Sequence, residues 1–224
     1  MDKLYEIAKF YEENLDNRRF LLKAGKKGKI LELNILFTSE QFKHLVGLHK
    51  LEDIPETKFG SRRIYRNILN GDLKYETIKS SKYYEQIEKR LEYFFGLKTT
   101  LFSNELMIKS LKGDFYKIIA DFMLTKKDSK YGNAHLFLKN TEESIVLPVT
   151  YIIQEDNRYL ENMPNKWKVL SVEEIVESDE IKEKNALKEK IEKRTNKQIE
   201  EVLKGEKLPF KSIHNHDGND GHGV

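Results

Sequence analysis

The segment Gln41-Phe42-Lys43-His44-Leu45-Val46-Gly47-Leu48-His49-Lys50-Leu51 gathers two imidazoles and two lysines around one glycine. An imidazole titrates near neutrality, so it can take a proton and return it within one turnover. A lysine supplies a fixed positive charge suited to a phosphate. On a regular α-helix five residues turn the two rings apart by well over a right angle, so His44 and His49 reach one site only where the helix breaks at Gly47. The competing reading is structural, with each histidine a boundary residue beside buried leucines whose ring nitrogens are satisfied locally.

Three further groupings carry chemistry. Ser61-Arg62-Arg63-Ile64-Tyr65-Arg66 combines cations with an aromatic ring, a set that grips phosphates and stacks a base; the alternative is a solvated surface with ion pairs. On a strand running from Phe115 to Leu124, Lys117 and Asp121 project to one face, and Thr150 places a hydroxyl in an otherwise apolar strand. Antiparallel sheets commonly have one solvated face, which is the bland account of both. Tyr159 and Trp167 could stack a nucleotide, although a single tryptophan beside a strand more often packs in the core. His214, His216, Asp217 and His222 lie in a Gly- and Asn-rich tail with no helix to order them as ligands, so no metal site is expected. Phosphate-binding loops, dinucleotide fingerprints, zinc-protease helices and serine elbows are absent from the sequence.

The elements that must position these groups follow from periodicity. Leu4, Ile7, Ala8, Tyr11 and Leu15 fall at helical spacing. Phe20–Ala24 and Leu31–Phe37 read as a hairpin turning at Gly25-Lys26-Lys27-Gly28. Thr38 and Gln41 form a capping-box pattern ahead of the histidine segment. Helices are expected over Ser61–Leu69 and Thr77–Phe95, the second ending at Gly96, and strands over Leu106–Leu111, Phe115–Leu124, Ala134–Lys139, Ser144–Gln154 and Trp167–Val172. Helices followed by a meander define an α+β fold, with N-terminal helices packed on a curved antiparallel sheet. That domain is assigned to residues 1–172, a charged helical extension to 173–207, and a disordered tail to 208–224.

Composition narrows the class. With no cysteine, disulfides, thiolate metal sites and a cysteine nucleophile are excluded, which fits a reducing compartment. Forty Lys and Arg against 37 Asp and Glu leave a net charge of +3, so any nucleic-acid surface is a local patch. The charged first residues and the lack of an apolar run of roughly 18 residues predict a cytoplasmic chain that does not span a membrane.

Phe42-Lys43-His44-Leu45-Val46-Gly47-Leu48-His49-Lys50-Leu51 resembles the signature of the phage-associated barnase–EndoU–colicin E5/D–RelE-like (BECR) nucleases, in particular their fourth group. Ile119-Ala120-Asp121-Phe122-Met123-Leu124, His135-Leu136-Phe137-Leu138 and Leu147-Pro148-Val149-Thr150-Tyr151 are compatible with it. The resemblance covers about Leu31 to Val172 and implies an endoribonuclease, a toxin or an effector of phage or mobile-element origin, that needs no metal or other cofactor. Its implied catalytic set is His44 as first choice for acid/base, His49 as second and Lys50 as phosphate clamp; Thr150, the hydroxyl in an apolar strand, is added to the catalytic candidates from the residue pattern. Read from residue types and spacing, Lys43, Arg62, Arg63, Tyr65, Lys117 and Asp121 are the candidate RNA- or phosphate-binding residues. The implied partners are RNA, tRNA among the candidates, and a cognate inhibitor protein. Two rival readings are a catalytically inactive relative that binds RNA or protein, and an interaction protein whose 173–204 helices make a homo-oligomer or hold a partner.

Overall fold

A computed structural model describes residues 2–108, 118–128, 131–161 and 165–175. All fall in the first of the two units into which the chain divides, residues 1–176. Expectations for Lys117, for 109–117 and for 176–224, the helical extension and histidine tail included, lie outside the described residues.

Helix α1 (Lys3–Asn14) starts where the Asp2 carboxylate accepts the backbone N–H groups of Leu4 and Tyr5, and it buries Leu4, Ile7, Ala8 and Tyr11. The other carboxylate oxygen of Asp2 accepts the Tyr75 N–H at 2.9 Å, tying α1 to the later helices. Strands β1 (Arg19–Lys26) and β2 (Lys29–Leu36) form the expected hairpin. Its two-residue turn has positive φ at both Lys27 (49°) and Gly28 (76°), the combination whose twist matches a hairpin's strands.

Helix α2 (Ser39–Val46) follows through the predicted capping box: the Thr38 N–H donates to Gln41 Oε1 at 2.8 Å, and Thr38 Oγ1 accepts the Glu40 N–H at 3.3 Å. Helix α3 (Ser61–Leu69) matches the sequence reading. The single helix expected over Thr77–Phe95 is instead broken into α4 (Tyr75–Lys79), α5 (Glu85–Glu92) and a 3₁₀ turn at Phe94–Gly96. Asp53 accepts the Ser81 hydroxyl and the Lys82 N–H, while Ser81 Oγ accepts the Tyr83 N–H at 3.1 Å. Side-chain acceptors thus take backbone donors that a continuous helix would direct to its own carbonyls. Nor does Gly96 end the helical run, which continues as α6 (Leu97–Leu101).

The remaining strands are β3 (Glu105–Ile108), β4 (Phe122–Asp128), β5 (Gly132–Asn140), β6 (Ile145–Gln154) and β7 (Asn165–Ile175), with the one-turn helix α7 (Arg158–Glu161) before β7. They form a curled sheet in the order β1-β2-β6-β5-β4-β3-β7, and β7 pairs back onto β1. All pairings are antiparallel except β2 with β6, so the fold is α+β with a mixed sheet. Two local shifts differ from expectation. The fourth strand begins at Phe122, so Asp121 precedes it, and β7 runs through Ile175, past the proposed start of the helical extension.

One sheet face and the helices share the main core, where Tyr11, Phe20, Phe37, Phe42, Phe94 and Tyr151 are fully buried. On the opposite face of β4 and β5, Met123 and Phe137 form a smaller cluster covered by Tyr159 and Leu160 of α7. Trp167 is half-buried against the main core, as expected of a lone tryptophan.

Candidate functional site

Helix α2 ends at Gly47, which adopts the left-handed conformation (φ 91°) and caps the helix through its N–H to the Lys43 carbonyl at 3.1 Å. The chain reverses into a 3₁₀ turn at Leu48–Lys50, which carries His49 back over the end of α2. The two imidazoles meet with ring centroids 4.5 Å apart and planes tilted by 35°. This is the break that the five-residue spacing requires, and it places both exposed rings in one site.

Beneath them lies Arg90 of α5, a residue the sequence reading did not select. Its side chain is only 4% exposed, and its Nη1 donates to the His44 carbonyl at 3.0 Å, at the negative end of the α2 dipole. A Cβ at Gly47 would stand 2.9 Å from both Arg90 Nη1 and Ile87 Cγ2, so the glycine serves the approach of α5 as well as the backbone turn. Gly47→Ala is therefore expected to lower the unfolding free energy by about 2 kcal/mol. Urea denaturation checks this, and unchanged stability would refute the packing argument.

Cations dominate the site. Among the described residues no carboxylate forms an ion pair with Arg90, His44, His49 or Lys50. Loss of water lowers the His44 pKa from 6.5, with Lys43 and Arg90 adding to the effect. His49 is pushed down to about 4, first by desolvation and then by His44, Arg90 and Lys50, against the opposing pull of the Lys43 carbonyl. Lys50, half-buried, is lowered by desolvation and by Arg90, and burial takes Arg90 itself to about 10. Both histidines are shifted toward the neutral form beside a buried guanidinium, an environment suited to an anion.

The other residues singled out from the sequence are placed less favourably. Lys43 donates through Nζ to the Phe59 carbonyl at 3.0 Å. Arg62 pairs with Glu40 at 2.5 Å, and Arg63 lies over the Phe59 ring, 3.7 Å from its centroid. Tyr65 is a correction: it is 4% exposed, packed against Tyr11 and Phe42, and cannot stack a base, because the apolar side of α3 faces the core. Asp121 accepts the Asn140 N–H at 2.8 Å and so braces β5. Thr150, half-buried and paired with Phe137, lies on the sheet face opposite Tyr151.

A third imidazole lies within the sheet. His135 of β5 is fully buried, with Nδ1 3.0 Å from Thr125 Oγ1 and, among the described residues, no hydrogen-bond partner at Nε2. Burial pushes its pKa down to about 4. Among the described residues no group of three or more His, Asp or Glu is arranged to hold a metal ion, and no helix is long and apolar enough to cross a membrane.

The described domain is thus an α+β fold that brings two imidazoles together over a buried arginine. The family described as phage-Barnase-EndoU-ColicinE5/D-RelE like nuclease4 matches residues 3–207, and the chain belongs to that family of BECR-type nucleases. The match reaches past the first unit into the segment read as a charged extension. No curated protein and no solved structure shows significant similarity to the chain.

Proposed function

We propose that the chain is an endoribonuclease that cleaves RNA without a metal, using the His44–His49 pair as acid and base. The reading is carried by the two imidazoles, 4.5 Å apart, above a buried arginine that no carboxylate neutralises among the described residues. One neutral imidazole takes the proton of a ribose 2′-hydroxyl, whose oxygen attacks the adjacent phosphorus. The bond from phosphorus to the 5′-oxygen breaks, and that oxygen receives a proton from the other ring, which enters the step as imidazolium and leaves it neutral, giving a 2′,3′-cyclic phosphate and a 5′-hydroxyl. Lys50 and Arg90 stabilise the charge that builds on the phosphoryl oxygens.

The phosphodiester takes part in its own cleavage. Alone, the site holds both rings below 6.5. An anion bound beside them raises both again, so that the pair can share one proton. For kcat/KM the free chain decides: the acid is lost as pH rises through the higher imidazole pKa, and the base is lost as pH falls through the lower, at about 4 for His49. The profile is expected to peak on the acid side of 6.5 and to fall toward about pH 8.

The test is incubation of the protein with total RNA in EDTA across this range, with analysis of product ends and circular dichroism to separate acid unfolding from loss of rate. Cleavage yielding cyclic phosphate ends supports the mechanism. Absence of cleavage at every pH, or activity that needs an added divalent ion, would overturn it. A rate rising through pH 8 would remove the acid role from the histidines.

A further inference from the structure

We propose that the cavity between the end of α6, strands β4 and β5, and α7 receives a nucleobase of the RNA, together with its phosphate, and so sets where the chain cuts. The inference rests on the ribonuclease reading and adds to it a site of specificity. The cavity holds about 540 Å³, within the range of small-molecule sites, and among the described residues no Asp or Glu lines it. Lys126 and Lys127 do, and neither is in an ion pair among the described residues. At its edge stands Phe102, 44% exposed, its ring held edge-on against Phe20 with centroids 6.1 Å apart. An exposed aromatic fixed by the core is a platform for stacking a base.

The polar lining is ordered in advance. Asn133 donates through Nδ2 to Asn157 Oδ1 at 3.1 Å and to the Asp156 carbonyl at 3.1 Å. That uses the oxygen of Asn157 and leaves its amide nitrogen uncommitted among the described residues, as a donor for a base acceptor. Thr125 is held by its bond to His135 Nδ1, and the Nε2 of that buried ring has no partner among the described residues. Planar stacking surface, amide hydrogen-bonding groups and cations without acids are what a nucleotide requires and what a simple anion does not.

The segment 155–160 links this cavity to α5, the helix that carries Arg90. Asn157 and Leu160 line the cavity, Glu155 pairs with Lys89 beside Arg90, and Tyr159 stands over His135 with centroids 5.5 Å apart while acting electrostatically on Arg90.

The test is titration of the intact chain, followed by ¹⁵N-resolved NMR, with the four nucleoside 5′-monophosphates and with a 2′-O-methyl oligonucleotide, which binds without being cut. Saturable binding is expected, with shifts at Thr125, Lys126, Lys127 and Asn133, a preference among the four bases, and tighter binding of the oligonucleotide. Phe102→Ala should weaken binding about tenfold. Asn157→Asp, which keeps the acceptor for Asn133 while placing a negative charge in the cavity, should weaken it as much without removing a core contact. No saturable binding, equal affinity in both variants, or shifts confined to His44, His49 and Arg90 would overturn the proposal. Cleavage failing while these shifts persist would sink the ribonuclease reading and leave the cavity assignment standing, so the two fail separately.

Discussion

His44→Ala is expected to reduce kcat/KM for RNA cleavage by about 10²- to 10⁴-fold, the range a positioned acid or base contributes, and His49→Ala by a comparable factor. The double variant should lose little more than the worse single one, because the rings act on one proton-transfer sequence. RNA affinity should change little in either case, since the buried Arg90 and the half-buried Lys50 remain. Both imidazoles are exposed, so the fold should tolerate their loss to within about 0.5 kcal/mol. Single-turnover cleavage, filter binding and thermal unfolding on the same preparations separate these effects. Full activity in His44→Ala, or loss of binding with unchanged turnover, would remove the histidine from catalysis.

The sequence displays the two imidazoles because their types are rare and their neighbours periodic. It also shows the condition for their meeting, a break at Gly47, since glycine is the residue that adopts positive φ without strain. Arg90 is less visible. It falls within the arc of the buried stripe formed by Ile87 and Leu91, and an arginine inside such an arc is the available signal, but helical surfaces rich in Glu and Lys hide it. The break in the Thr77–Phe95 helix depends on Asp53, a residue distant in sequence whose carboxylate takes the Ser81 hydroxyl and the Lys82 N–H. No local pattern carries that information. Tyr65 shows the converse error: an aromatic between arginines reads as a stacking surface, yet its position beside Ile64 and Ile68 commits it to the core, where its hydroxyl donates to the Ala8 carbonyl at 3.4 Å.

Arg90→Met separates a structural role for the arginine from a functional one. If the guanidinium serves chiefly to cap α2 through the His44 carbonyl, its loss leaves a buried acceptor unsatisfied and should cost about 1–3 kcal/mol. If it is kept for an anion, the comparison changes sign. A charge that is 4% exposed and faces no carboxylate among the described residues is costly to bury, and an apolar side chain of similar length relieves that cost. We expect the second outcome: stability unchanged or higher, with cleavage reduced by about 10²- to 10³-fold as transition-state stabilisation is lost. The same substitution removes a positive charge that lowers the pKa of His44, His49 and Lys50, so all three should titrate at higher pH, visible in the imidazole resonances. The kcat/KM optimum should move up with them. A less stable variant with wild-type turnover and unmoved imidazole titrations would make Arg90 a helix cap and nothing more. A stabilised and inactive one would mark it as a charge retained against the fold's interest, for the phosphate it holds.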